Sequence, residues 1–408
     1  MSHQPQWREG NRAKLLENGE EFYPRLYQRI GEAREEVLIE TFILFEDKVG
    51  HALRDVLIRA AKRGVRVVLT VDGYGSANLT PAFVAPMADV GVALRIFDPR
   101  PKVLGLRTNL FRRLHRKLVV IDRRIAFIGG INFAEDHLRE HGPLSKQDYA
   151  VEVEGPVVAD IYELISDEGG PESHQRLPRG PSTAPVGKVR AILATRDNHR
   201  HREDIEWHYQ EAIRGAREEI IIANAYFFPG YRFVRAVRAA AKRGVDVKLI
   251  LQGRPDWRLM QWAATTLYDY LLRAGVRIYE YCERPMHSKV AVIDGDWATV
   301  GSSNLDPLSL FLNLEANLIT RDRAFARDLR TKLQSLVERR CKEMRREHAR
   351  PRTLSRQFIS WLVFHLTRRF PAWFGWLPAH TTRHALLVKP ETLTAGKAVP
   401  AEKEEEAA

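Results

Sequence analysis

The chain has 408 residues, of which 44% are hydrophobic and 28% charged, a balance that excludes an intrinsically disordered protein and suits two ordinary domains. Its two cysteines exclude a disulfide framework, favour a reducing compartment and match no zinc-binding pattern. The net charge of +12 indicates an anionic partner, whether nucleic acid, a phosphorylated metabolite or an acidic membrane surface.

The N-terminal stretch, "MSHQPQWREGNRAKLLENGE", is polar and carries acidic residues, so it fits neither a signal peptide nor a transit peptide. No apolar run reaches the roughly 18 residues that a transmembrane helix needs. We therefore expect a protein that is made and kept in the cytoplasm, where it can still bind to a membrane surface.

Two halves of the chain repeat similar segments in the same order. The first half contains "GEAREEVLIETFIL" and "AAKRGVRVVLTVDG", and the second contains "RGAREEIIIANAYF" and "AAKRGVDVKLILQG". In each half an apolar run predicts a buried strand, and a segment of helical period follows it. The glycine of "AAKRG" fits a left-handed helix cap before the next strand. The sequence therefore predicts an α/β protein with two duplicated domains, each a mixed β-sheet flanked by helices.

Composition divides the chain into five segments. Residues 166–187 are rich in Gly, Pro and Ser and predict a linker between a first domain, 1–165, and a second, 188–350. Residues 351–388 combine three tryptophans with arginines, a composition typical of a membrane-contact segment. A C-terminal helix packed on the second domain is the alternative. Residues 389–408 predict a disordered tail.

Each half also carries the pattern His-x-Lys-x-x-x-x-Asp. The two copies, "HRKLVVID" and "HSKVAVID", supply six candidate catalytic residues: His115, Lys117, Asp122, His287, Lys289 and Asp294. In a strand, residues two apart point to one face, so the His and Lys of each copy lie together. The Asp opens a hairpin turn, a role that we favour over acid-base chemistry for it. After each hairpin an asparagine, Asn132 or Asn304, can supply a neutral donor.

Taken alone, each of these residues has a plain structural explanation, such as a half-buried strand histidine or a turn aspartate. The recurrence of His and Lys in both halves is not explained by these structural roles. Two histidines with two lysines suit phosphodiester transfer. One histidine attacks phosphorus, and the other protonates the leaving alcohol. Lysine and asparagine side chains hold the non-bridging oxygens. This chemistry requires no cofactor or metal, and we expect the halves to form one active site across a pseudo-two-fold interface.

The two motifs resemble the signatures of the phospholipase D superfamily. Within it, segments such as "DGYGS", "DPRPKVLGLRTNLFRRLHRK" and "VGSSNLDPLSLFLNLEAN" are similar to bacterial cardiolipin synthases, above all to the cardiolipin synthase B subgroup. The resemblance covers nearly the whole chain. It implies two phospholipase D-like domains that share one site and transfer a phosphatidyl group to phosphatidylglycerol through a phosphohistidine. Either phosphatidylglycerol or phosphatidylethanolamine would be the donor.

The resemblance also implies roles for individual residues. By position, His115 corresponds to the usual nucleophile and His287 to the usual acid and base. Asp148 and Glu315 occupy the positions of the acidic residues that orient the histidines in this family.

Other interpretations fit the same residues: a phospholipase D-type hydrolase, a nuclease, or a basic membrane scaffold without activity. The basic cluster of Arg107, Arg112, Arg113 and Arg116 suits lipid head groups or nucleic acid phosphates equally. Because no nucleic-acid-binding signature is present, we expect anionic phospholipids and a membrane surface as partners, and no nucleic acid. The expected location is peripheral, on the cytoplasmic face of the bacterial inner membrane. The oligomeric state is not predicted.

Overall fold

The computed structural model describes residues 6–99, 102–103, 106–107, 112–167, 184–253, 267–345 and 384–386. Most of the predicted linker, 166–187, lies outside the described residues. So do nearly all of the predicted membrane-contact segment, 351–388, and all of the predicted tail, 389–408.

The elements of the first half alternate between strands and helices. In chain order they are β1 (Arg8–Glu17), α1 (Asn18–Glu32), β2 (Glu36–Thr41), α2 (Lys48–Lys62), β3 (Arg66–Asp72), α3 (Pro81–Ala88), β4 (Ala93–Phe97), β5 (Lys102–Val103), β6 (Leu106–Arg107), β7 (Leu118–Ile121), β8 (Ile125–Gly129), two 3₁₀ turns (Glu135–His137 and Arg139–Leu144), β9 (Tyr149–Glu154) and α4 (Val157–Asp167).

The second half repeats this order. Its elements are β10 (Val189–Arg196), α5 (Asp204–Gly215), β11 (Glu219–Asn224), α6 (Tyr231–Lys242), β12 (Asp246–Gln252), β13 (Arg277–Tyr281), β14 (Lys289–Ile293), β15 (Trp297–Gly301), α7 (Pro307–Phe311), β16 (Glu315–Arg321), α8 (Arg323–Arg340), β17 (Cys341–Met344) and β18 (His384–Leu386).

Sixteen of the described strands join in the order β17-β13-β12-β11-β14-β15-β16-β10-β1-β9-β8-β7-β2-β3-β4-β18. The strands β2, β3 and β4 pair in parallel, as do β11, β12 and β13, and the hairpins β7–β8 and β14–β15 are antiparallel. The order reads nearly the same outward in both directions from the β10–β1 pair. The prediction of duplicated mixed sheets flanked by helices is thereby confirmed.

Local sequence explains where the corresponding helices α2 and α6 end. Gly64 and Gly244 follow them with φ of +88° and +94°, a left-handed conformation that glycine adopts without steric cost. At its other end α2 is capped by Asp47, whose Oδ1 accepts hydrogen bonds from the amides of Val49 and Gly50 at 2.9 and 3.0 Å. Within the described parts of the chain, no helix has the length and apolar character that a membrane span requires.

The two halves share a central hydrophobic core, which fixes the position of one motif relative to the other. Leu118 and Val120 of β7 lie in the same buried cluster as Val290 and Val292 of β14. The intervening residues of these strands point to the opposite face, into separate clusters beneath the helices of each half. Burying each such Val or Leu side chain stabilises the folded state by about 1.5–3 kcal/mol. The shared core therefore stabilises the contact between the halves.

Candidate active site

Backbone hydrogen bonds hold each motif histidine against the opposite half. The amide of His115 donates to the carbonyl of Leu314 at 3.0 Å, and the amide of His287 donates to the carbonyl of Gln147 at 2.9 Å. Leu314 directly precedes Glu315, the first residue of β16, and Gln147 directly precedes Asp148, which stands immediately before β9. The pairing therefore brings an acidic residue of one half beside the histidine of the other.

Side chains at the ends of β3 and β12 fix the residues just before the histidines. The Asp72 carboxylate accepts from the amide of Leu114 at 2.8 Å, and the Gln252 amide oxygen accepts from the amide of Met286 at 3.0 Å. These two residues occupy corresponding places in the halves. Sequence reasoning missed them, although both stand before the glycine in the repeated "VDG" and "LQG".

Both histidine rings contact a carboxylate from the other half. Nδ1 of His115 lies 2.9 and 3.0 Å from the two carboxylate oxygens of Glu315, and Nδ1 of His287 lies 2.6 Å from Asp148. Both acidic side chains are fully buried. A carboxylate at Nδ1 accepts the ring hydrogen and leaves the Nε2 lone pair available for reaction. The structure thus brings together four of the predicted residues in two crossed pairs.

The two carboxylates have different neighbours. The hydroxyl of Ser302 donates to Glu315 at 2.5 Å. The corresponding residue in the first half is Gly130, where a Cβ atom would lie 2.5 Å from both oxygens of Asp148. Asp148 instead accepts a hydrogen bond from the amide of Tyr149 at 2.8 Å. Glycine at this position leaves the room that the Asp148 carboxylate occupies.

The lysines of the two motifs are buried beside their histidines. Nζ of Lys117 donates to the carbonyl of His115 at 2.6 Å, and Nζ of Lys289 donates to the carbonyl of His287. Burial lowers the pKa of Lys117 to about 7 and that of Lys289 to about 8, and the two ammonium groups repel one another. An anion bound between them would relieve this repulsion. The chemistry of the two lysines is therefore suited to binding a phosphoryl group.

The two histidine–carboxylate pairs differ in their affinity for protons. Burial lowers the pKa of His115 to about 4 and holds the pKa of His287 well below its ordinary value. Burial raises the pKa of Asp148 to about 7. Burial opposes ionisation of Glu315 too, but the charge and hydrogen bond of His115 keep the Glu315 pKa below its ordinary value. The Asp148–His287 pair thus holds a proton at higher pH than the Glu315–His115 pair does.

Asparagine side chains carry further buried polar groups. Asn132 accepts from the amide of Ile43 through Oδ1, and within the described chain its Nδ2 has no partner. Asn224, which sequence reasoning missed, accepts from the amide of Leu305 at 3.1 Å, and its Nδ2 is equally unpaired there. Asn304 is buried, and its Oδ1 has no partner among the described residues. Leaving a buried amide unpaired costs about 1–3 kcal/mol, so these groups suit a polar ligand.

The aspartates of both motifs bind backbone amides of a neighbouring loop, which favours the turn role over a catalytic one. The carboxylate of Asp122 accepts from three consecutive amides, those of residues 34–36, at 2.7–2.9 Å. Asp294 accepts from the amides of residues 217–219 at 2.8–3.0 Å. Seven residues of extended chain separate each aspartate from its histidine, which is about 20 Å. Both aspartates anchor the loop that enters the neighbouring strand, in agreement with the turn role favoured above.

The predicted basic cluster is divided by the fold. Arg116 is completely buried, and its Nε lies 3.1 Å from Glu40, so it is not a surface charge. The guanidinium of Arg113 lies 4.0 Å from the centroid of the Tyr74 ring. The side chain of Arg107 lies outside the described residues. Arg116 therefore has a structural role.

Comparison with known proteins gives a consistent result. The family model described as cardiolipin synthase, phospholipase D-like domain, matches residues 26–165 and 209–337. The chain is 52% identical to cardiolipin synthase B of Salmonella typhimurium and 50% identical to cardiolipin synthase B of Escherichia coli K12. Each match spans 389 residues and 94% of both chains. The solved phosphatidylserine synthase of Haemophilus influenzae shares the fold, with a TM-score of 0.65 and 12% identity over 90% of this chain and 95% of that one. The chain belongs to the phospholipase D-like cardiolipin synthase family.

Proposed function

We propose that this protein is a cardiolipin synthase, which transfers a phosphatidyl group from one phospholipid to phosphatidylglycerol through a phosphohistidine. The observation that carries the proposal is the pair of histidines, each bonded to a carboxylate of the other half, with two buried lysines beside them. Relatives of 50–52% identity that bear the name cardiolipin synthase B support the same reaction.

In the first step the neutral Nε2 of His115 forms a bond to the phosphorus of the donor. The bond from phosphorus to the head-group oxygen breaks, and that oxygen takes the proton held by the Asp148–His287 pair from Nε2 of His287. Glu315 stabilises the positive charge that develops on the His115 ring. Lys117 and Lys289 neutralise the non-bridging oxygens as their charge increases.

In the second step the hydroxyl of phosphatidylglycerol takes the place of the departed head group. Its proton passes to His287, its oxygen forms a bond to phosphorus, and the bond from phosphorus to His115 breaks. Both histidines thereby return to their starting states. If water entered instead, the product would be phosphatidic acid, so exclusion of water separates a synthase from a hydrolase.

We also propose that the end of the molecule that carries the histidines faces the bilayer. Two exposed apolar side chains support this orientation: Phe45, in the loop after β2, and Leu144, four residues before Asp148, with exposed fractions of 44% and 68%. Apolar side chains at a bilayer surface add binding energy through burial. Since neither cysteine of the chain forms a disulfide, a reducing compartment and hence the cytoplasmic face of the inner membrane are proposed as the location.

The test uses purified protein with mixed vesicles of phosphatidylglycerol and phosphatidylethanolamine, with lipid products identified by mass spectrometry. Cardiolipin formed by the wild type, and lost in His115→Ala and His287→Ala, is the expected result. Released glycerol or ethanolamine identifies the donor. Phosphatidic acid without cardiolipin would overturn the synthase in favour of a hydrolase. Cleavage of added DNA with no lipid product would favour a nuclease.

A further inference from the structure

A third histidine, His137, packs against the Asp148–His287 pair. It ends the first 3₁₀ turn after β8 and is fully buried. Its ring meets the His287 ring edge to face, with centroids 5.4 Å apart and an interplanar angle of 80°. A ring nitrogen of His137, a carboxylate oxygen of Asp148 and a ring nitrogen of His287 lie within 4.8 Å of one another. Neither the repeated motif nor the mechanism above uses this residue.

One hydrogen bond fixes the tautomer of His137. The backbone amide of Asn132 donates to Nε2 at 3.3 Å. Because a backbone amide can only donate, Nε2 carries the lone pair and the ring hydrogen is on Nδ1. Among the described residues Nδ1 has no hydrogen-bond partner. His137 therefore joins the backbone of Asn132, a predicted phosphate-binding residue, to the ring of His287.

The charges around His137 favour a neutral ring and disfavour a bound cation. Burial holds the pKa of His137 well below its ordinary value, and the surrounding cations, namely Lys146, Lys289, Lys117 and Arg284, lower it further. On the acidic side, Asp136 lies 3.7 Å from Nε2, and Asp148 is already bonded to His287. The three-residue group has the composition of a metal site, but four nearby cations and the existing hydrogen bonds oppose a metal ion.

Within the described part of the second half, no imidazole takes the corresponding place. Ser309 occupies the position that corresponds to His137, and its hydroxyl lies 3.4 Å from Asp306. The ring of His115 instead contacts Phe42, with centroids 5.0 Å apart. The His287 side of the site thus differs from the His115 side by one buried, hydrogen-bonding ring.

We propose that His137 is a positioning residue for proton transfer by His287, since its ring packs against the His287 ring and the hydrogen bond from the Asn132 amide to its Nε2 holds that ring in place. This inference rests on the proposed phosphatidyl transfer. A residue with this role affects the steps in which His287 gives or takes a proton. It has little effect on the attack of His115 on phosphorus.

A donor whose leaving group needs no proton separates the two effects. Glycerol leaves phosphatidylglycerol only with a proton from the general acid, whereas nitrophenolate leaves the 4-nitrophenyl ester of phosphatidic acid without one. The first-turnover release of glycerol and of nitrophenolate is measured for the wild type and for His137→Ser, which introduces the residue found at 309. We expect a loss of at least tenfold with phosphatidylglycerol and of less than threefold with the nitrophenyl ester, the same pattern as for His287→Ala.

Two variants each restore one contact. His137→Gln keeps an acceptor for the Asn132 amide, and His137→Phe keeps a ring edge against His287, so each should recover part of the loss. Either variant can replace His137→Ser in the comparison of leaving groups if the serine variant does not fold. Ser309→Ala is the matched control and should change both rates by the same factor.

Equal losses with both esters in all three His137 variants would overturn the proposal. Release of glycerol at the wild-type rate by all three variants would overturn it too. Wild-type protein that releases both leaving groups but forms phosphatidic acid in place of cardiolipin would contradict the synthase function. The comparison of leaving groups would still decide the role of His137.

Discussion

The carboxylate of Asp148 lies 2.6 Å from Nδ1 of His287, although 139 residues separate the two in sequence. Glu315 stands in the reciprocal relation to His115, 200 residues away. Since each carboxylate serves the histidine of the other half, mutation of either one should impair the step that depends on the opposite motif.

Asp148→Asn keeps the shape of the side chain but removes the charge that stabilises a protonated His287. We expect the release of glycerol from phosphatidylglycerol to fall by about 10²-fold or more. Glu315→Gln should instead slow formation of the phosphohistidine on His115, even from the 4-nitrophenyl ester. Trapping the covalent intermediate by acid-free quenching, followed by mass spectrometry, distinguishes the Asp148→Asn variant from the Glu315→Gln variant. Identical behaviour of the two variants with both donors would contradict the crossed assignment.

Gly130→Ala tests how closely Asp148 is packed. The added methyl group would lie 2.5 Å from both carboxylate oxygens, so the carboxylate must move and its bond to His287 must lengthen. We expect at least a tenfold loss in kcat, read from the initial rate of cardiolipin formation. The matched change in the other half, Ser302→Ala, removes a hydroxyl without adding bulk and should cost less. A Gly130→Ala protein as active as the wild type would show that Asp148 has room to shift.

The lysines predict the pH dependence. The pKa values of Lys117 and Lys289, about 7 and about 8, lie below the 10.5 of an exposed lysine because both groups are buried. As pH rises through these values the lysines lose their charge, so kcat/KM should begin to fall at about pH 7 and fall more steeply above about pH 8. A bound phosphodiester favours the charged form and raises both pKa values, so the fall in kcat should come at higher pH. Coincident profiles for kcat and kcat/KM would contradict this.

Thermal unfolding measured at the same pH values is the control, because it shows whether the loss of activity comes from unfolding. Between about pH 8 and 10 the unfolded chain keeps these lysines protonated while the folded protein does not. The unfolded state then binds more protons, so the contribution of these two groups to stability rises with pH. Loss of activity in this range therefore does not arise from their effect on folding.

Asp122→Ala should act on stability and leave the chemistry intact. The change removes the acceptor of three consecutive amides, and we expect the free energy of unfolding to fall by about 1–3 kcal/mol. The kcat of the protein that remains folded should stay within threefold of the wild type. Chemical denaturation measures the first quantity and steady-state kinetics below the transition the second. Asp294→Ala is the matched variant, and complete loss of turnover in both stable proteins would restore a catalytic role.

The orientation on the membrane predicts a position-dependent effect of apolar residues. Leu144→Ser should weaken co-sedimentation with phosphatidylglycerol vesicles several-fold, because a side chain that is 68% exposed in the free protein would be buried in the bilayer. Val186→Ser is the control, since Val186 is also exposed but lies far from the histidines. It precedes the first residue of β10, whereas the last residue of that strand, Arg196, pairs with Glu315 at the active site. Equal binding by the two variants would place the contact elsewhere.

The duplicated sheets, the helix-ending glycines and the two motifs could be predicted because they depend on local pattern and recurrence. His115 and His287 stand out since turn chemistry does not account for a repeated His and Lys. The crossing of Asp148 and Glu315 could not be predicted, because it depends on backbone pairing between segments far apart in sequence. His137 escaped notice for a related reason: it occurs in one half alone, and its importance comes from a ring contact rather than from a spacing.

The difference between His137 and Ser309 has a consequence for the origin of this enzyme type. A symmetric pair of identical subunits would give both reactive rings the same surroundings, so either ring could take either role. Joining two copies in one polypeptide lets each copy change independently, and a histidine can then be kept on one side and a serine on the other. Gene fusion of this kind permits a division of labour that a homodimer cannot encode.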